Sequence, residues 1–182
     1  MAGETTDGLV TRVRDKAGDN TASFTAARIV QWMNDAQDRI MFLAIDLGLK
    51  ARPANPVELV VARLPEMLVQ ASGTLSASGQ VALPSDYLYP WRFFYGASAI
   101  EAPYRNARQI AIAKADTSWG TYAAAGPIWT IEVISAGTRL AAYPAAAVAY
   151  IFHYVKRPTL MVAATTNPDM PARFHEDLVN FA

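Results

Sequence analysis

The chain has 182 residues, balances 16 Lys and Arg against 16 Asp and Glu, and contains no cysteine. That length holds one good-sized domain or two small ones and buries roughly 70% of the unfolded surface, enough for a core without disulfides or metal. The missing cysteines exclude disulfide frameworks, thiol nucleophiles and iron–sulfur clusters, and zero net charge disfavours a protein built mainly to grip the DNA backbone.

The first 50 residues read as two helices. The first spans Thr6 to Ala17, with Leu9, Val13 and Ala17 on one stripe and Gly18 as its stop. In the second, Thr25 is the N-cap, and Phe24 and Ile29 hold the two positions of a hydrophobic staple. Ile29, Met33, Ala36, Ile40, Leu43 and Leu47 follow at spacings of four and three, a seam for packing along another helix. Asp35 and Arg39 form an i,i+4 pair off that seam, and Gly48 is expected to end the helix. From Met41 to Ile45 the helix is apolar on nearly every face, so Met41, Phe42 and Ile45 are expected to be left over for a neighbour.

After Pro56 the pattern changes. Residues 57–70 are ambiguous: Leu59-Val60-Val61 reads as strand, and Pro65 as the start of a short helix. Strands are then expected at Gln80–Pro84, Tyr89–Tyr95, Ala99–Tyr104, Trp129–Ile134, Arg139–Tyr143 and Ala147–Lys156. In the last of these Val148, Tyr150, Phe152 and Tyr154 share one face. Asn106 caps a short helix through Lys114, preferred over a strand, and Pro171 opens a final helix through Phe174, Leu178 and Phe181. That helix reaches Ala182 without a stop signal, which reads as a trimmed chain, a natural end being the alternative. The expected fold is α+β: N-terminal helices and a C-terminal helix form a helical bundle (1–50 with 165–182), with an inserted antiparallel β-sandwich or barrel-like domain over 51–164.

Chemistry is sparse. His153 and His175 are the only histidines; neither has a ligand or triad partner at converging spacing, and His175-Glu176-Asp177 reads as a solvated helix surface. No phosphate-binding glycine motif occurs, and Ser85-Asp86 reads as a turn after Pro84. Trp119, Tyr122 and Trp129 flank a Gly-containing loop; such a cluster stacks on a sugar or base, or fills a core or interface. Residues 90–157 hold seven basic against three acidic residues, Lys156-Arg157-Pro158 being a basic knot, read as rim charge or as a surface for an acidic partner. No apolar run approaches roughly 18 residues, so no membrane span is expected, and the polar, acidic start does not read as a signal peptide. Hydrophobic residues at 52% with charged ones at 18% are rich for a free monomer and suggest a partner subunit. No enzyme activity, cofactor or metal is expected.

Three segments carry a resemblance. Residues 22–40 (Ala-Ser-Phe-Thr-Ala-Ala-Arg-Ile-Val-Gln-Trp-Met-Asn-Asp-Ala-Gln-Asp-Arg-Ile), 80–96, with Val81-Ala-Leu-Pro-Ser-Asp-Tyr-Leu88, and 147–181, with Tyr154-Val-Lys-Arg-Pro-Thr-Leu160 and Pro171-Ala-Arg-Phe-His-Glu-Asp-Leu-Val-Asn-Phe181, resemble in order and spacing the tailed-bacteriophage adaptor proteins of the head-to-tail connector, or neck. Arg28 departs from the acidic residue commoner there, and members generally continue beyond the last helix. The resemblance implies a structural virion protein made in the host bacterial cytoplasm. It implies a homo-oligomeric ring of twelve copies under the portal protein, extending the DNA channel, passing DNA non-specifically and giving tail, nozzle or other neck proteins a platform. Trp32, Arg39, Met41, Phe42, Ile45, Trp119, Tyr122, Lys156, Arg157, Phe174 and His175 are the expected interface residues, the helical part assembling and the β part facing outward or tailward. The competing reading is a carbohydrate- or receptor-binding β-sandwich of a tail or secreted protein, for which the helical N-terminus is superfluous.

Overall fold

Thr5 opens α1 (Thr6–Ala17), accepting the Gly8 amide at 3.4 Å, and Gly18 closes it in the left-handed region at φ 66°. The structure is a computed structural model that describes residues 5–19, 23–51, 57, 60, 63–115, 126–135, 137–162 and 168–182. The chain divides into two compact units, one formed by 1–68 with 156–182 and the other by 69–155. The mixed α+β class is as the sequence predicts.

In the first unit, α2 (Ala26–Ala51) starts at the predicted cap, the Arg28 amide donating to Thr25 Oγ1 at 3.3 Å. It contacts α1 and α4 (His175–Phe181), and those two also touch each other. Two expectations fail along α2. Gly48 does not end the helix; it sits inside it, on the buried side, and three more residues follow. The expected seam also fails beyond Ile40: Leu43 and Leu47 are 52% and 46% exposed, whereas Met41 and Ile45 are buried at 0% and 6%.

The buried face of α2 is two-sided, and Val30 and Gln37 are already buried on the side of Met41 and Ile45. At about 100° per residue, Ile29, Met33, Ala36 and Ile40 cluster on one azimuth, and Met41, Ile45 and Gly48 centre roughly 120° away. α2 is about 39 Å long, α1 about 18 Å and α4 about 10 Å, so neither neighbour can accompany it to its end. A single straight seam would need a partner of equal length. Buried Val57, Val60, Leu64 and Met67 belong to the same unit.

The ambiguous 57–70 stretch resolves as helical positions at Val57, Val60 and Arg63, a 3₁₀ turn at Pro65–Met67, and then a strand. The second unit holds two antiparallel sheets. One runs in the order β1 (Leu68–Thr74), β7 (Ala149–Lys156), β3 (Tyr87–Tyr95), β4 (Ile100–Ala102); the other is β2 (Gln80–Ala82), β6 (Gly137–Tyr143), β5 (Ile128–Ile134). The β5–β6 hairpin pairs Ile128 with Tyr143 through to Ile134 with Gly137. Both sheets contribute to one core of Phe93, Trp129, Leu140, Tyr150, Phe152 and Tyr154. Trp129 satisfies its ring N–H by donating to the Ala102 carbonyl at 2.9 Å. Gly79 sits at φ +71°, where an added Cβ would lie 2.6 Å from the Ala142 carbonyl oxygen.

α3 (Ala107–Ala115) is capped as predicted. The Gln109 amide donates to Asn106 Oδ1 at 2.9 Å, and the Asn106 amide returns a bond to Gln109 Oε1 at 3.1 Å. Ile110 and Ala113 then pack on Ile128 of β5, with Tyr143 alongside.

Candidate interaction surface

Beyond β7 the chain crosses α2 as an extended strap, residues 157–162. Arg157 faces Asp38 at 3.5 Å, and Gln37 Nε2 donates to the Thr159 carbonyl at 3.4 Å. Asn34 does more: its Oδ1 accepts the Met161 amide at 2.8 Å and its Nδ2 donates to the Met161 carbonyl at 3.2 Å. One side chain thus replaces a strand partner for one residue. Asp169 ties the near end of the strap, accepting Lys156 Nζ and the Thr159 amide, each at 2.9 Å. Burial works to raise the Asp169 carboxyl, but these hydrogen bonds outweigh it and hold it below the ordinary carboxylate range. Lys156 and Arg157 are therefore engaged within their own unit. Asn34 and Gln37 of the first quoted segment meet Thr159 and Met161, from the stretch that also carries the third, and no spacing rule could show that.

On its outer side α2 is uncovered. Trp32, Asp35, Arg39 and Phe42, with Asp38, Phe181 and Ala182, line an open groove of about 480 Å³. Phe24 meets Trp32 edge-on at 5.2 Å, and the Arg28 guanidinium lies 5.4 Å from the centre of the Trp32 ring. The expected Asp35–Arg39 ion pair is not formed; both side chains are exposed, and neither is paired among the described residues. Past the groove, Phe42, Leu43, Leu47 and Leu49 are 40–53% exposed. Of the three side chains expected to be left over for a neighbour, only Phe42 is; Met41 and Ile45 are enclosed, on the side of α2 that also buries Val30 and Gln37. Trp32, Asp35, Arg39 and Phe42 recur at three- and four-residue spacings, a second stripe that was legible in the sequence but masked by the stronger apolar one.

The remaining expected residues scatter. Phe174 is half-buried under the Arg173 guanidinium, whose centre lies 5.2 Å from the ring, and Arg173 forks onto Glu66 with both bonds at 3.1 Å. The hydrogen bond from Arg173 is the main cause that holds Glu66 below its ordinary range. His175 is not a solvated helix residue: it is 4% exposed and its Nε2–H donates to the Met170 carbonyl at 3.0 Å. A 3₁₀ turn at Ala172–Phe174 precedes α4 and rotates position 175 inward. Trp119 and Tyr122 lie outside the described residues. In the second unit His153 sits half-buried against Trp91 and Phe94, at ring distances of 5.8 and 5.6 Å. Burial and then Arg92 push its pKa down.

Among the described residues no group of three His, Asp or Glu converges as metal ligands, and no helix is long and apolar enough to cross a membrane. What the surface presents is apolar contact area. Residues 5–182 match the family described as SU10 adaptor protein. The chain belongs to that family. It is thus a phage adaptor protein, and the family is a structural one rather than a class of enzymes. No curated protein matches the adaptor chain. The match runs through α1, α2 and α4 as well as both sheets, so the adaptor's helical ends are as much part of the family pattern as its β unit.

Proposed function

We propose that this adaptor is the repeating subunit of the phage head-to-tail connector, a closed ring of twelve copies that docks under the portal. The ring continues the DNA channel and offers tail or nozzle proteins their platform within the virion. The helical unit makes the assembly contacts, and the β unit faces outward or tailward. The observation that carries this reading is the exposed apolar half of α2, where Phe42, Leu43, Leu47 and Leu49 stand 40–53% in water. Fully burying such a side chain stabilises by about 1.5–3 kcal/mol, so their combined burial against a neighbour is worth several kcal/mol. A chain with zero net charge neutralises few phosphates, in keeping with a channel that lets DNA pass without holding it.

Electron microscopy of the purified protein, alone and with portal, tests the reading directly. Rings coaxial with the portal are expected. Phe42→Asp should prevent ring formation and portal docking while far-UV circular dichroism stays close to wild type, since half of the Phe42 surface is already exposed. Rings that form equally well with Asp at 42 would remove α2 from the interface.

A further inference from the structure

β5 is the outer strand of its sheet, with β6 on its inner side. Its register with β6 runs unbroken from Ile128–Tyr143 to Ile134–Gly137, so the alternation of its backbone groups is undisturbed. Trp129 shows which residues turn away from β6. Its N–H donates to the Pro103 carbonyl at 3.2 Å, and its carbonyl accepts the Arg105 amide at 2.8 Å. Ile131 and Val133 are the next two residues in that phase, and their outward N–H and C=O groups bond to nothing among the described residues. The segment that covers Trp129 has left β5 by Asn106, which caps α3. Natural sheets blunt such an open edge with lysine, proline or a bulge. Past Glu132 this strand has none of them, and Val133 is 83% exposed.

We infer that the far half of β5 receives an extended, acidic segment of a tail-side protein, added as a strand beside Ile131 and Val133 where residues 103–105 leave off. The inference rests on the reading of the β unit as the tail platform and names its docking edge. A strand is the occupant because only another extended backbone places donors and acceptors at the spacing that Ile131 and Val133 set. Charge gives its chemistry. Arg105 stands where the covering segment leaves β5 and has no acidic partner among the described residues. Lys114 lies 3.9 Å from Glu132, a carboxylate that Arg139 already holds at 2.9 Å. These two cations flank the open edge and favour Asp or Glu in the incoming strand. A second copy of this chain fits less well. Of its other outer strands, β1 and β2 carry no acidic residue, and Glu101 of β4 is turned to Arg92 at 3.6 Å.

The test is Val133→Pro. Proline there removes an N–H that β6 does not use, at a position where an edge strand tolerates it. The variant should therefore keep its circular dichroism, its rings and its docking on the portal. Heads carrying such rings are mixed with tails purified from the same phage, and infectious particles are counted; a loss of at least about tenfold is expected. Val133→Lys keeps the N–H but sets a charge on the edge, as natural edges do, and should lower joining in the same direction even if the proline strains the strand. Amide exchange reads the contact itself. Ile131 and Val133 should exchange fast in the free chain and in the ring on the portal, and slowly once the tail is bound. Full joining by both variants, or exchange unchanged by the tail, overturns the edge docking and leaves the ring reading standing. Protection already present in the tail-free ring assigns the edge to a second copy and overturns it as well. A wild-type chain that forms no ring on the portal overturns the platform reading and the docking with it.

Discussion

Replacing Asn34 by Ala should destabilise the helical unit far more than its half-exposed position on α2 implies. The substitution removes two hydrogen bonds, at 2.8 and 3.2 Å, to the backbone of Met161, a residue only 3% exposed. It also removes one of the two acceptors of Gln37 Nε2, at 3.2 Å on a side chain 1% exposed, and leaves the Thr159 carbonyl at 3.4 Å as the other. Each lost bond is worth about 1 kcal/mol net, and leaving buried partners unsatisfied adds about 1–3 kcal/mol. The expected loss is about 2–4 kcal/mol, which for a chain of this size lowers the melting temperature by roughly 4–16 °C. Asn34→Asp keeps an acceptor for the Met161 amide but sets a carboxylate beside the Met161 carbonyl, so it should fall well short of wild type. Urea unfolding followed at 222 nm measures the change as a shift in midpoint at constant slope. A shift equivalent to less than about 0.5 kcal/mol for Asn34→Ala, the range of an ordinary surface substitution, would show that the strap is held by Met161 burial alone.

Two further outcomes are expected. Gly79→Ala should cost at least about 1–3 kcal/mol, because the residue needs φ +71° and its new Cβ would lie 2.6 Å from a backbone carbonyl; equal stability in a thermal melt would contradict the close approach. His153 should make stability pH-dependent, since its folded pKa lies below the ordinary 6.5. The unfolded chain then takes up the proton first, so the contribution is complete above 6.5 and is lost as the pH falls through the depressed folded value. His153→Phe keeps a ring between Trp91 and Phe94 and should flatten the melting temperature between about pH 7.5 and 5, leaving only the carboxylate losses at lower pH, where Asp169 and Glu66 are protonated.

The sequence alone determined where most elements begin. Thr25 and Asn106 cap their helices as predicted because a cap is chemistry among four neighbouring residues, and no distant partner has a say in it. The inward face of β7 was equally legible: Tyr150, Phe152 and Tyr154 alternate, and alternation in a strand allows only two faces. Tertiary structure decided the rest. Gly48 carries a stop signal that α2 overrides, and beyond Ile40 the seam positions Leu43 and Leu47 are exposed while Met41 and Ile45, on the side that already buries Val30 and Gln37, stay dry. His175 reads as a solvent residue until a 3₁₀ turn rotates it inward. Asn34 and Met161 are 127 positions apart, and neither carries a local trace of the other. A helix has a continuous circle of faces, and which arc is buried depends on the length and placement of whatever packs there, a property of the folded chain and of no segment within it.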